Sequence, residues 1–474
     1  MNGLLLRDAE LGGRIGADVR IIQGTVAEVA PALQRQPGEK VYDCQGRAVI
    51  PGLCDHHVHL HAMAAWQESV HCGPPGVTSR AGLASALAAA VPDAGGWIRG
   101  VGYVESVAGG LDAAALDRLR ADVPVRLQHR SGALWMLNTA ALTSIGAVGP
   151  GGAFHPGMER DADGRPNGRL WRADGWLREH LPPSGLPGLA QVGAALLSYG
   201  ITAVTDCTPD LDGRAIAAIS DAMLRGYLPS RVYLMGVPLG MALPGDHGLP
   251  GPATGPYKIV LADSGLPALD ELTERIRTAH VANRPVAVHC VTREALVLLL
   301  AAFGETGTLP GDRIEHAALV PAELIPCLAR LAVRVVTQPG FLVHRGDDFL
   351  RDLPAADRLD LYRCATLRQA GVPIALSSDA PYGPLDPWAV IAAATSRLTA
   401  SGQVAGPEER LTFAQALAAY LAPPTDPGGP PGRVYPGMPA DLVILGSPVA
   451  DVPGLPEPVC AVLAGGTLSR AEPR

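Results

Sequence analysis

The sequence predicts an α/β fold: a (β/α)8 barrel of the TIM type, with a small β-sandwich built from both chain termini and an inserted lobe after the first barrel strand. Three observations lead there. From residue 186 onward, short β-branched runs alternate with helical patterns. The two ends of the chain share a different texture, alternating apolar and polar positions between glycine-rich turns. Far more chain than one crossover needs separates the first β-branched run from the second.

At the N-terminus, ADVRIIQGTVAEVAP and KVYDCQGRAVIPG read as short antiparallel strands, because a period of two puts alternate side chains on opposite faces. PADLVILG and VCAVLAGGTLSR near the C-terminus read the same way, and the Pro/Gly-rich APPTDPGGPPGRVYPGM links them to a helix-like LTFAQALAAYLA. Residues 1–50 and 433–474 are therefore assigned to one sandwich. Residues 51–432 are assigned to the barrel. Strand one is AVIPGLCDHHVHL (48–60). Strands two to eight are ITAVTDC (201–207), SRVYLMGV (230–237), YKIVLAD (257–263), PVAVHCV (285–291), DRIEHA (312–317), VRVVTQPG (333–340) and PIALSSDAP (373–381). Alternation of this kind implies parallel strands with helical crossovers, and eight strands suggest closure. An open doubly wound sheet would show a glycine-rich phosphate turn after its first strand, and none is present. The lobe, about 62–190, should hold a helix near 80–91, a strand at PVRLQHR (124–130) and a turn at RDADGRPNG (160–168), and should sit over the barrel mouth.

A 474-residue chain that is 47% hydrophobic can bury a large core, and with 4% aromatics that core must be mostly Ala, Val, Leu and Ile. The formal charge of −8 and the lack of a basic run argue against nucleic acid or anionic membranes as partners. Three leucines followed by Arg7 and Asp8 do not make a signal peptide, and the longest apolar stretches fall short of the ~20 residues that span a bilayer. Eight scattered cysteines without a CxxC pair favour reduced thiols in the cytoplasm. A homodimer is expected only because it is the commonest assembly of soluble proteins.

Polar residues gather where a barrel keeps its active site, at the C-terminal ends of its strands. His57 and His59 lie two apart on strand one and so face the same way. His289 closes strand five, His316 strand six and Asp379 strand eight. One histidine at a strand end is usually an ordinary hydrogen-bonded side chain. Several imidazoles and a carboxylate converging from strand ends on one point suit a borderline divalent ion such as Zn2+.

PGLCDHHVHL resembles the PGxxDxHxH signature of the amidohydrolase superfamily, and PADLVIL its usual C-terminal strand. QHRSGALWMLNTAAL, RDADGRPNGRL, YGITAVTDC, RIEHA, ALSSDAP and LTFAQALAAY are similar to one branch, the N-substituted formamide deformylase-like (YtcJ-type) hydrolases. The resemblance runs from about residue 40 to 445. It implies that His57, His59 and Asp379 hold a buried metal. It also implies that His289 and His316 hold a second ion, or that His289 ligates while His316 acts on substrate. Lys258, at the end of strand four, falls where many members carry a lysine carboxylated on Nζ to bridge two metals. All but Lys40 and Lys258 of the 38 basic residues are arginine, so a lysine at that place is notable. Only lysine can shed its proton and take up CO2.

The resemblance further implies cleavage of an amide-type C–N bond in an N-acyl, N-formyl or related small molecule by hydroxide produced at one or two zinc ions. Asp379 would serve as proton shuttle, with His316 or His129 steadying the oxyanion. His129, Trp135 and Asn138 in the lobe, and Tyr382 beyond Asp379, are candidate substrate contacts, with packing the alternative for Trp135. Cys290-Val291-Thr292 replaces the Gly-Asp pair usual in the branch after the strand-five histidine. Three rivals remain. A deaminase would commonly carry a glutamate where this chain has Thr292, an esterase or lactonase would use the same hydroxide, and an inactive binding scaffold would have lost a ligand.

Overall fold

A computed structural model describes residues 3–148, 152–182, 185–229, 231–261 and 265–470. Ser230 and the 262–263 end of the expected fourth strand lie outside the described residues. By contact density the chain divides into two compact units, residues 1–60 with 189–474, and residues 61–188.

In the larger unit all eight expected segments form strands: Leu53–Val58, Ile201–Asp206, Arg231–Leu234, Tyr257–Val260, Val286–Cys290, Arg313–His316, Arg334–Thr337 and Ile374–Leu376. Strands one, two, six and eight are buried along their whole length, as β-branched runs covered on both faces should be. Strand two pairs in parallel with strands one and three, and strands four to eight form a continuous parallel ladder. Strand three adds a two-residue strand, Ala253–Thr254, that the sequence pattern did not announce. No ladder joins it to strand four among the described residues, so the parallel strands form two sheets. Gly255-Pro256 interrupts there, and proline has no N–H to donate. At the other seam, Asp379 N donates to His57 O at 2.9 Å and His59 N to Ala380 O at 2.9 Å, which ties the end of strand one to the segment after strand eight.

Helices start directly behind the strands because side chains satisfy their first N–H groups. Asp212 accepts from Ala215 N at 2.8 Å to open Gly213–Leu224, and Thr292 accepts from Ala295 N at 3.2 Å to open Arg293–Thr306. Each buries one apolar stripe, Ile216, Ile219 and Ala222 in the first, Leu296, Leu299, Leu300 and Phe303 in the second.

Two four-stranded sheets share a separate core within the same unit. One is built from Leu4–Leu11, Arg14–Ile22, Thr25–Ala30 and Lys40–Asp43, the other from Val49–Pro51, Leu442–Leu445, Val459–Ala464 and Thr467–Arg470. Leu6, Val19, Ile21 and Val26 pack with Leu442, Ile444 and Leu463. The smaller unit is organised by a mixed six-stranded sheet in which Ile98–Tyr103, Val125–His129, Leu134–Leu137 and Pro166–Trp171 are adjacent in that order. Helix Arg80–Ala89, capped by Ser79, stands at the expected place, and Asp161–Arg165 makes the hairpin turn. No helix among the described residues is long and apolar enough to cross a membrane.

Candidate metal centre

Strand one delivers His57 near its end and His59 one residue beyond it, and Asp379 follows strand eight by three residues. The end of strand one is pinned by Asp55, which is fully buried and whose Oδ1 accepts from His57 N at 3.1 Å and Ser378 N at 3.2 Å. Burial pushes that carboxyl up to about 7. Asp379 and His316 both adopt left-handed backbone, φ 55° and 70°, which is uncommon for residues with a Cβ. Such strain persists only where the surroundings enforce it, and it concentrates at functional sites. Here the bond from Asp379 N to His57 O is one such restraint.

The geometry converges on one carboxylate oxygen. Asp379 Oδ1 lies 3.5 Å from His57 Nε2 and 3.2 Å from His59 Nε2, and the ligand atoms of these three residues all lie within 4.8 Å of one another. His57 Nε2 and Asp379 Oδ1 are buried without a hydrogen-bond partner. Two imidazoles with a carboxylate are the donor set zinc takes, and here two of their unpartnered atoms face each other, so the residues fit a divalent ion. His316 packs against His57 with ring centroids 4.8 Å apart, and His289 against His316 at 4.4 Å. His316 donates from Nδ1 to Gln338 Oε1 at 2.9 Å, which leaves its lone pair on Nε2; Gln338 Nε2 donates in turn to Ser377 Oγ at 2.9 Å. His57 and His316 are both held well below the usual histidine range. Burial is the main cause, reinforced by the neighbouring imidazoles and Lys258. Neutral imidazoles are what a metal needs.

Lys258 is placed differently from expectation. It is the second residue of strand four rather than its end, and it pairs with Ala287, two residues below the level at which Val260 meets His289. Its charge acts on both His57 and His316. Lys258 is 6% exposed.

A second group of ligand types, His57, Cys207 and Glu315, also clusters within 4.8 Å. Arg313 occupies its edge, with Nε donating to Glu315 Oε1 at 2.5 Å and Nη2 lying 3.9 Å from Cys207 Sγ. A fixed cation there opposes a metal, and burial pushes the Cys207 thiol well above its usual range. The sequence pattern marks Arg313 and Glu315 only as part of the RIEHA segment. The overlooked signal is two opposite charges at alternate positions of an otherwise apolar strand, a same-face pair.

The lobe candidates are occupied elsewhere. Asn138 is fully buried, and its Oδ1 accepts from Val125 N at 3.0 Å and Ala141 N at 2.9 Å. Its Nδ2 donates to Arg120 O and Val123 O, both at 2.9 Å. All four hydrogen-bonding positions are filled, so it caps helix Thr139–Ser144 and has none left for a substrate. Trp135 is 3% exposed, donates to Asp174 Oδ1 at 2.9 Å, and has the guanidiniums of Arg99 and Arg126 each 5.5 Å from its ring. Those contacts pack it within the lobe. His129 contacts Glu105 Oε2 at 3.1 Å and Ser131 Oγ at 2.7 Å. Tyr382, by contrast, meets His59 edge-on with centroids 5.6 Å apart.

The sequence profile of the amidohydrolase family matches residues 40–462. The N-substituted formamide deformylase of Arthrobacter pascens is 25% identical over 92% of this chain and 88% of its own. The putative amidohydrolase YtcJ of Bacillus subtilis (strain 168) is 26% identical over 77% of each chain. The crystal structure of an uncharacterised metal-dependent hydrolase from Pyrococcus horikoshii OT3 superposes with a TM-score of 0.72 at 19% identity, covering 94% of this chain and 97% of that one. That last likeness establishes a shared α/β fold. With the profile spanning nearly the whole sequence, the chain belongs to the amidohydrolase family and is a hydrolase acting on carbon–nitrogen bonds.

Proposed function

We propose that this amidohydrolase cleaves the amide-type bond of a small N-acyl, N-formyl or related substrate at a zinc centre held by His57, His59 and Asp379. The observation that carries the reading is the pair of orphaned buried atoms, His57 Nε2 and Asp379 Oδ1, facing each other beside His59. When bound, zinc supplies a water acidified toward ~7 and polarises the substrate carbonyl. The chain's own residues do the rest. Asp379 Oδ2, on the carboxylate's other side, takes the proton from the attacking water and delivers it to the leaving nitrogen. His316, neutral and fixed by Gln338, offers its remaining nitrogen to the substrate or to a second ion with His289. Tyr382 beside His59 lines the substrate's approach.

In the two-metal form, Lys258 carboxylated on Nζ by CO2, with loss of a proton, would join His289 and His316 in holding the second ion; its burial supports this. The parallel strands are read as a closed barrel, residues 1–50 and 433–474 as its sandwich, and about 62–190 as its specificity lobe. The free thiols support residence in the reducing cytoplasm. Thr292 is spent as a helix cap, which weighs against the deaminase alternative.

The test is metal analysis with a panel of N-formyl, N-acyl and carbamoyl compounds. Turnover should vanish on chelation and return with zinc. Hydrolysis that persists in protein verified free of metal would defeat the proposal.

A further inference from the structure

A buried ion pair reaches from strand six into the metal cluster. Arg313 and Glu315 lie two apart on that strand, so they share a face, and both are fully buried. Arg313 Nε donates to Glu315 Oε1 at 2.5 Å, and Arg313 Nη2 donates to His56 O at 2.9 Å, gripping the backbone of strand one beside His57. The other carboxylate oxygen, Glu315 Oε2, accepts from His57 Nδ1. Removing two charges from water is costly, and two apolar residues would fill the same space without that cost. The arrangement therefore calls for a purpose, and the third member supplies one.

We propose that Glu315, anchored by Arg313, is the positioning residue that sets the tautomer and orientation of His57. The inference rests on the metal-site reading above. A neutral imidazole carries one N–H. With that proton on Nδ1 and directed at Glu315, the lone pair is on Nε2, the buried atom that faces Asp379 without a partner. A carboxylate behind a ligating histidine also raises the basicity of the ligating nitrogen. Arg313 acts in two ways. It holds the Glu315 carboxylate in place through Nε and, through His56 O, fixes the distance between strands one and six.

The test is Co2+ titration of apoprotein, read by affinity and by the visible spectrum of the bound ion. Glu315→Gln should weaken binding by roughly 10–100-fold and shift the spectrum. That variant leaves Arg313 as an uncompensated buried cation, so a fall in thermal stability accompanies it. The double variant Arg313→Met with Glu315→Gln removes the stray charge. It should recover stability toward the wild type while Co2+ affinity stays low. A folded double variant with wild-type affinity and spectrum overturns the inference and leaves the metal site standing. Wild-type protein that binds no Co2+ removes the metal site, and this inference with it.

Discussion

His57 and Asp379 on one side, Asn138 and Trp135 on the other, are similarly buried polar side chains whose polar atoms meet opposite fates. In the larger unit, His57 Nε2 and Asp379 Oδ1 end without partners. In the lobe, Asn138 uses all four of its hydrogen-bonding positions and Trp135 donates its only side-chain N–H to Asp174. Residue type made both groups candidates. What separates these two pairs is where their polar atoms are spent: those of Asn138 and Trp135 on neighbours within the lobe, those of His57 and Asp379 on each other's open side beside His59, where ligand types converge.

The contrast can be broken most decisively at Asp379. Asp379→Ala should lower kcat/KM by roughly 10³-fold or more and empty the metal site, with circular dichroism unchanged. Near-wild-type turnover in that variant would show that the orphaned pair is incidental. Lys258 sharpens the same side. Lys258→Ala should reduce bound metal from two ions per chain to one and cost on the order of 10²-fold in rate, partly restored by bicarbonate or a short carboxylic acid. Lys258→Arg should bind metal no better than the alanine variant, since a fixed cation repels the ions. One ion per wild-type chain, with bare Lys258, selects the single-metal form.

On the lobe side the expected losses are in stability rather than chemistry. Asn138→Ala removes a helix cap and strands buried backbone groups, a cost of about 2–4 kcal/mol visible as a lower Tm. KM and metal content should stay put; a raised KM at unchanged Tm would return Asn138 to the substrate. His129→Ala should have the smallest effect. Its contacts to Glu105 and Ser131 lie near the surface, where such pairs contribute up to about 1 kcal/mol. A change in substrate preference on that substitution is the outcome that would give the lobe a direct hand in recognition.

The strand-and-helix rhythm was legible because parallel strands buried on both faces favour β-branched runs, and ITAVTDC, PVAVHCV and VRVVTQPG are such segments. The His57, His59 and Asp379 group was legible for a related reason, since strand ends bring residues distant in sequence to one level. Lys258 was misplaced because YKIVLAD shows where a strand is and not its register against the next, which only the pairing with Ala287 reveals. Glu315 was missed because its partner is 258 residues away, and nothing local to RIEHA announces a contact with strand one. The hydrogen bonds of Asn138 were hidden for the opposite reason. Its cap is a local feature, and its motif context hid it.

The antiparallel pairing of Val49–Pro51 with Leu442–Leu445 has a consequence for how the protein is made. The N-terminal sheet leaves the ribosome first, and the sheet that covers its apolar face cannot assemble until most of the chain has followed. At about 5–20 residues per second that interval is roughly 20–80 s. Throughout it, Leu6, Val19, Ile21 and Val26 present an uncovered apolar surface beside unpaired strand edges. Those are the features that recruit chaperones or seed aggregation. The yield of soluble protein should therefore respond to translation speed and to chaperone supply more than a ranking of the finished fold's stability would suggest.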